Sequence, residues 1–371
     1  MKALLHTLAL IICTISVQAQ KTDYNLLIGT YTLPGASEGI YVYDFNTATA
    51  AFKANTVEKH VINPSFLTLT PDRQFVYAVN EDGQKSTVSA FSFDAAAGKL
   101  SYLNKQPAEG TDPCYLISDE QNVIIANYSS GSIAVYGRDA SGALTPAKQI
   151  IQHTGSSIDT ARQKSAHVHM VKFSPDHKYV LSNDLGEDKI YVYKYNKDAQ
   201  DTVLVMKDSL SVKPGSGPRH ITFSPNGKFA YLIQEMQGDL TVFSYNDGIL
   251  KKIQQANIVA KDFKGAVGSA DIQISADGRF LYASNRGDAN DITIFAIQKD
   301  GKLIYKNRVS TKGKGPRAFV IDPSGNWLLV GHQYTNDVVI FKRNKSTGGV
   351  TDTGKRIELG APVCFVFVPK K

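Results

Sequence analysis

Short apolar segments separated by turn sequences follow one another along almost the whole chain. Residues 292–295 are typical, because β-branched and aromatic side chains alternate there with others at the period of a β-strand. Between such segments lie turns like Ser224-Pro225-Asn226-Gly227, in which Pro presets φ and Asn or Gly accepts positive φ. We find no long stretch with helical periodicity. The pattern predicts an all-β protein built from hairpins.

One unit of this pattern repeats six times. Each copy has a short apolar strand, a turn, a second apolar strand that ends near Asn or Gln, and a third strand that ends in an aromatic residue. The copies begin at residues 64, 113, 168, 218, 270 and 316. A spacing of about 50 residues is the size of a four-stranded propeller blade.

The two ends of the chain supply the parts of a seventh blade. Residues 364–368 look like a lone first strand, and residues 26–30 and 39–43 look like a second and a third strand. Pairing them closes the ring and removes exposed strand edges. We therefore predict a single seven-bladed β-propeller domain over residues 20–371.

Cys114 and Cys364 begin innermost strands in non-adjacent blades, beyond the ~7 Å reach of a disulfide, so both are expected to be buried free thiols.

The first 19 residues have the features of an export signal. Lys2 precedes an apolar run over residues 3–15, and Val17-Gln18-Ala19 suits a signal peptidase. The run is too short for a stop-transfer helix, and no later stretch approaches ~20 apolar residues. We expect cleavage before Gln20 and an exported protein, periplasmic or secreted, with no membrane segment after cleavage.

The chain is moderately basic, with 41 Lys and Arg against 34 Asp and Glu and a net charge of +7. The excess is either ordinary surface charge or a positive channel mouth that attracts small anions. No Lys/Arg block is interleaved with aromatic residues, so we expect no nucleic-acid partner.

Antiparallel pairing predicts where the polar residues of the repeat meet. The start of each first strand and the end of each second strand emerge at the same face of the ring. The connection over residues 154–166 is unusually long and enters there too, as a lid or as part of a pocket. The residues placed at this mouth are Arg162, Gln163, His167, His169, Arg219, His220 and Arg317, together with Asn80-Glu81, Asn127-Tyr128, Asn183-Asp184, Gln234-Glu235, Asn285-Arg286 and His332-Gln333.

Two groups at the mouth have alternative interpretations. Arg219 and Glu235 flank one hairpin. They form either a structural ion pair or part of a site in which Arg holds an anion and a carboxylate or His transfers a proton. His167 and His169 are two residues apart and should point the same way, but no Cys or third His joins them. We expect no metal, and either a proton-handling role for one of them or two solvated histidines.

A series of motifs follows in order along the chain at blade spacing. The motifs are Arg162-Gln163, His167-Val168-His169, Gly217-Pro218-Arg219-His220, Glu235, Ser284-Asn285-Arg286-Gly287, Gly315-Pro316-Arg317, Asp322-Pro323-Ser324-Gly325 and Gln333. This series resembles the propeller-type 6-phosphogluconolactonases over essentially the whole mature chain. The related fungal muconate-cyclising enzymes use a His, Arg, Glu, Arg set, which by motif matches His169, Arg219, Glu235 and Arg286. The resemblance implies catalytic roles for these four residues and no cofactor.

The resemblance implies a metal-independent lactonase that hydrolyses a small anionic sugar-acid lactone. Arg219, Arg286 and Arg317 would bind the anionic group and the oxyanion, and His169, in preference to Glu235, would activate water. Two alternatives remain, namely a cycloisomerase of a muconate-type dicarboxylate and a non-catalytic binding propeller. The substrate-binding residues implied are His167, Arg162, Gln163, His220, Asn285, Arg317 and Gln333.

Overall fold

The computed structural model describes residues 22–32, 35 and 37–370, which form seven antiparallel sheets of four strands each. Blade one is β4 (Phe66–Leu69), β5 (Phe75–Asn80), β6 (Thr87–Asp94) and β7 (Lys99–Pro107); blade two is β8 (Pro113–Ser118), β9 (Asn122–Asn127), β10 (Ser132–Arg138) and β11 (Leu144–Gln152); blade three is β12 (Val168–Phe173), β13 (Tyr179–Asp184), β14 (Lys189–Tyr195) and β15 (Leu204–Ser211).

Three further blades follow in the same order, and the chain ends share the last blade. Blade four is β16 (Pro218–Phe223), β17 (Phe229–Gln234), β18 (Asp239–Asn246) and β19 (Ile249–Asn257); blade five is β20 (Ser269–Ile274), β21 (Phe280–Asn285), β22 (Asp291–Ile297) and β23 (Leu303–Ser310); blade six is β24 (Pro316–Ile321), β25 (Trp327–His332), β26 (Asp337–Arg343) and β27 (Val350–Glu358); blade seven is β28 (Pro362–Pro369), β1 (Asp23–Thr30), β2 (Ile40–Asn46) and β3 (Ala51–Glu58).

Blade seven confirms the predicted closure of the ring. Strand β28 pairs antiparallel with β1, with Leu27 opposite Val366. Helical structure in the described residues is limited to a short 3₁₀ turn at Gly83–Lys85, and none of it could cross a membrane. Cys114 and Cys364 are buried free thiols, as predicted. The predicted signal over residues 1–19 lies outside the described residues.

Neighbouring blades pack through apolar second and third strands and through a recurring tyrosine contact. The buried Tyr77 of blade one donates a hydrogen bond from its hydroxyl to the Gly142 carbonyl of blade two, at 2.9 Å. Tyr231 and Tyr282 make the same bond to the next blade. Gly142 has φ +86°, and a Cβ there would lie 2.1 Å from the Phe75 ring, so this position requires glycine.

The innermost strands carry an irregularity that the sequence pattern does not reveal. In β12 the register passes from Val168 opposite Asp184 to Met170 opposite Asn183, which leaves His169 as an extra residue. Such a bulge redirects the side chain of the extra residue. The same register change occurs at the start of β8, β16, β24 and β28, where the extra residues are Cys114, Arg219, Arg317 and Val363.

Candidate active site

One mouth of the central channel opens into a polar cavity of about 380 Å³. The cavity wall is formed where the first strands of the blades begin and the second strands end, as the topology of the repeat predicts. The long connection before blade three also contributes to it. Blades one to six all contribute. The lining residues are Glu81, Asp112, Cys114, Tyr128, Ser129, Arg162, His169, Glu235, Arg286 and Arg317.

The bulges position three of these side chains. Cys114, His169 and Arg317 are the extra residues of β8, β12 and β24, and each lines the cavity. Arg219 is the extra residue of β16, but it lies behind Glu235 and off the wall, with its side chain 2% exposed. The sequence predicted His169, Arg219 and Arg317 at the mouth, but not Cys114 and not the bulges.

Glu235 is the anchor of the arginine cluster. Its Oε2 accepts a hydrogen bond from Nε of Arg219 at 3.0 Å and lies 3.1 Å from Nη2 of Arg286. Its Oε1 accepts a hydrogen bond from Nη2 of Arg162 at 2.8 Å. Burial would raise the pKa of Glu235, but Arg286, Arg219 and His169 outweigh it and hold that pKa well below its usual range. Glu235 therefore stays ionised, with its lone pairs engaged by guanidinium groups.

Arg219 is the buried partner of Glu235. Its guanidinium donates hydrogen bonds to Glu235 and to the carbonyl oxygen of Ala270, and its side chain is almost fully buried. Burial, together with the charges of Arg286 and Arg317, lowers the pKa of Arg219 to about 10, so the guanidinium remains a cation at neutral pH. Its geometry is that of the structural ion pair considered from the sequence.

His169 is a buried imidazole, and none of the described residues makes a short hydrogen bond to either of its nitrogens. Its Nδ1 lies 3.8 Å from Cys114 Sγ and its Nε2 lies 3.9 Å from Glu235 Oε2. The Tyr128 ring packs edge-on against it, at a centroid distance of 5.4 Å. Burial and the nearby Arg219 charge lower the pKa of His169 well below its usual value, so the ring is neutral and can hydrogen-bond a ligand.

Glu81 is a second carboxylate on the wall, to which sequence reasoning gave a position but no role. It follows β5 of blade one directly, at the repeat position that Glu235 occupies in blade four. Its Oε1 accepts hydrogen bonds from Ser65 Oγ and, at 3.0 Å, from Tyr31 OH. That shared repeat position was the signal in the sequence that could have identified it.

Arg317 is the cation of the wall whose donors remain available. Its guanidinium carbon lies 5.3 Å from the centre of the Tyr31 ring, a cation–π contact. None of the acidic residues in the described part of the chain forms an ion pair with it. Arg162 and Arg286 share the carboxylate of Glu235, so Arg317 is the free positive group that a ligand would meet.

Cys114 does not have the properties of a nucleophile. Its Sγ lies 3.3 Å from the carbonyl oxygen of His169, and the thiol is buried. Burial raises the pKa of Cys114, so the nucleophilic thiolate is suppressed at neutral pH. Covalent catalysis through this residue is therefore disfavoured.

Five of the predicted substrate-binding residues lie off the cavity wall. Gln163 is buried and donates to the carbonyl of Leu185, and Asn285 accepts the backbone N–H of Gly268. Gln163 does so from the connection before blade three, and Asn285 does so as the last residue of β21. Both side chains therefore satisfy backbone groups and do not line the cavity.

His167, His220 and Gln333 also lie off the cavity wall. His167 precedes β12, hydrogen-bonds the Tyr128 carbonyl through Nδ1 at 3.0 Å and stacks on the Tyr128 ring. His220 lies deeper in the channel, 3.2 Å from Asp271. Gln333 donates its backbone N–H to Gly315. Binding roles for these residues remain predictions, whereas Arg162 and Arg317 do line the cavity.

A buried group away from the cavity has the composition of a metal site. The ligand atoms of His153, Asp184 and Glu187 lie within 4.8 Å of one another. However, His153 already bonds Asp184 at 2.8 Å and Tyr193 at 2.7 Å, and Lys189 pairs with Glu187 at 2.9 Å. These bonds tie blade two to blade three, which is a structural role.

Comparison with known proteins identifies close relatives over the whole domain. The family model described as "Lactonase, 7-bladed beta-propeller" matches residues 25–367. A 6-phosphogluconolactonase of Bacillus subtilis is 35% identical over 352 residues, covering 94% of this chain and 99% of the relative. One from Formosa agariphila is 38% identical over 330 residues, covering 87% and 93%. The structure of the periplasmic gluconolactonase of Pseudomonas aeruginosa has a TM-score of 0.90 and 36% identity, covering 94% and 100%.

Proposed function

Because the chain belongs to the lactonase family of seven-bladed β-propellers, we propose that it hydrolyses the ring ester of a sugar-acid lactone in the channel-mouth cavity. The observation that carries this proposal is the joint presence of a free arginine, a neutral imidazole and carboxylates on one cavity wall. Hydrolysis of an ester requires a donor for the developing oxyanion and groups that handle the protons of water.

Arg317 is the proposed oxyanion donor. Its guanidinium makes no ion pair within the described residues, so its N–H groups can bind the carbonyl oxygen as negative charge develops there. Arg286 and Arg162 lie on the same wall and offer further N–H groups beside Glu235. The role of Glu235 is to hold these arginines in place, since its own basicity is suppressed.

His169 is the proposed partner of the attacking water. The ring is neutral, and its nitrogens lie 3.8 Å and 3.9 Å from their nearest polar neighbours, so one lone pair is free to accept a hydrogen bond. His169 therefore orients the attacking water as a hydrogen-bond acceptor, and the low pKa of Glu235 argues against proton transfer to that carboxylate. Replacement of His169 should therefore lower the rate without unfolding the protein.

The charge of the cavity favours a lactone without a phosphate group. Arg162 and Arg286 are neutralised in part by Glu235, which leaves Arg317 as the wall cation without an ion pair in the described part of the chain. Phosphate is bound by charge-assisted and often bidentate bonds from Arg, and N–H groups of Arg162 and Arg286 are already directed at Glu235. The likeness to a periplasmic gluconolactonase and the predicted export signal agree with a plain sugar-acid lactone.

The test is a lactone screen with mature protein that begins at Gln20. We expect saturable hydrolysis above the spontaneous rate, at least about tenfold faster for plain than for phosphorylated lactones, since one missing hydrogen bond to a charged group costs about 1.5–3 kcal/mol and about 1.4 kcal/mol is a factor of ten. Reaction in ¹⁸O-labelled water separates hydrolysis, which incorporates label, from cycloisomerisation, which does not. A protein that binds lactones without turning any of them over would be a binding propeller instead.

A further inference from the structure

Three carboxylates line the cavity, those of Glu81, Asp112 and Glu235, and the two glutamates differ in the donors that surround them. Asp112, before blade two, adds a negative charge that raises the pKa of Glu81. The carboxylate oxygens of Glu235, in blade four, lie 2.8–3.1 Å from guanidinium nitrogens of three arginines. Glu81 of blade one receives only hydroxyl donors, from Tyr31 and Ser65. Equivalent positions of the repeat therefore carry the same residue type, bonded to guanidinium groups in blade four and to hydroxyl groups in blade one.

The hydrogen bonds of Glu81 leave one of its oxygens available. Both hydroxyl donors bond to Oε1, and no described residue donates to Oε2. Glu81 is part of the cavity wall, as are His169 and Arg317. The two hydroxyls fix the carboxylate plane, so Oε2 is the atom that can meet a water molecule in the cavity.

The electrostatic environment separates the two groups further. Burial raises the pKa of Glu81, and the charge of Arg317 and the bonds from Ser65 and Tyr31 offset only part of that increase. The pKa of Glu235 is shifted in the other direction by its arginines. Pairs of carboxyl groups with pKa values moved apart in this way divide into a proton-transfer group and a permanently charged one.

We propose that Glu81 is the catalytic base of the hydrolysis, an inference that rests on the proposed lactonase function. Glu81 Oε2 takes a proton from water as the water oxygen bonds to the carbonyl carbon, and the carbonyl π pair moves onto the oxygen held by Arg317. The oxyanion then re-forms the carbonyl, the bond from that carbon to the ring oxygen breaks, and the ring oxygen takes the proton back from Glu81. The product is the open hydroxy acid, and Glu81 is again a carboxylate.

The first test is Glu81→Gln, which keeps the size and the acceptor for Tyr31 and Ser65 but cannot take a proton. We expect kcat to fall by about 10²–10⁴-fold with KM changed less than about threefold. Asp82→Asn is the matched control, because it removes a carboxylate from the next residue, which does not line the cavity. The control should keep its rate within about twofold of wild type.

The second test uses the pH profile, which a purely structural role would not move. A base acts when deprotonated, so kcat/KM of the wild type should rise with pH through the Glu81 pKa. Tyr31→Phe and Ser65→Ala each remove a bond that stabilises the ionised carboxylate, so each should move this acid limb to higher pH. Asp82→Asn should leave the limb in place.

The outcomes separate this inference from the proposed function. A wild type active on lactones, with Glu81→Gln slowed and the limb displaced in the Tyr31 and Ser65 variants, supports both. An active wild type with Glu81→Gln within about twofold of its rate and an unmoved limb overturns the role of Glu81 alone. A wild type that hydrolyses no lactone overturns the proposed function and this inference together.

Discussion

Glu235→Gln should destabilise the protein strongly, because it removes the counter-ion of a buried arginine. The Arg219 side chain is 2% exposed and that of Glu235 is 9% exposed, with Nε and Oε2 3.0 Å apart. Removing one partner of a buried ion pair costs about 3–5 kcal/mol. Arg162 adds little to this figure, since its side chain is 46% exposed and an exposed pair contributes less than about 1 kcal/mol.

The assay is urea denaturation at neutral pH, with Glu81→Gln as the matched control. Glu81 has no guanidinium partner in hydrogen-bond contact and burial disfavours its ionised form, so its replacement should change the free energy of unfolding by less than about 1 kcal/mol. A loss below about 1 kcal/mol for Glu235→Gln as well would refute the anchor role of Glu235.

The loss of stability caused by Glu235→Gln should depend on pH. The pKa of Glu235 is lower in the folded than in the unfolded protein, so its charge stabilises the fold above the ordinary glutamate pKa of about 4.3. The stability difference between wild type and Glu235→Gln should be constant near neutral pH. It should shrink as pH falls below that value towards the folded-state pKa. A difference that grows on acidification would contradict the sign of this shift.

Three further predictions concern the cavity. Arg317→Met should lower kcat by about 10²–10³-fold in a lactone assay, as the loss of an oxyanion donor does, and an unchanged kcat would exclude that role. His169→Ala should lower kcat by about 10²-fold with an unchanged circular dichroism spectrum, and a wild-type rate would remove it from the mechanism. Cys114 and Cys364 should react with a thiol reagent only after denaturation, because both are buried and burial raises the pKa of each thiol; rapid labelling of native protein would contradict this.

The architecture could be predicted from the sequence because each blade is specified locally. Turn residues and strand alternation recur at one spacing, and the fragments at both ends supply the strands that one further blade needs. Antiparallel pairing then fixes which strand ends meet, so the repeat alone was enough to place Glu235, Arg286 and Arg317 at one mouth, where all three line the cavity.

The details of the site could not be predicted, because they depend on one-residue shifts and on pairings across blades. The extra residue at His169 or Arg219 leaves no trace in an apolar–polar pattern, so two histidines spaced by two seemed equivalent. The sequence likewise does not show that Asn285 satisfies a backbone N–H. The contrast between Glu81 and Glu235 arises from partners in other blades, which only the assembled ring reveals.

The most direct test of the central claim is hydrolysis of gluconolactone by wild-type protein that begins at Gln20, in ¹⁸O-labelled water and followed by mass spectrometry. The account predicts saturable turnover above the spontaneous rate, with one labelled oxygen in the product carboxylate, and loss of that turnover in Arg317→Met. Product formation at the spontaneous rate, the same with and without the protein, would contradict it.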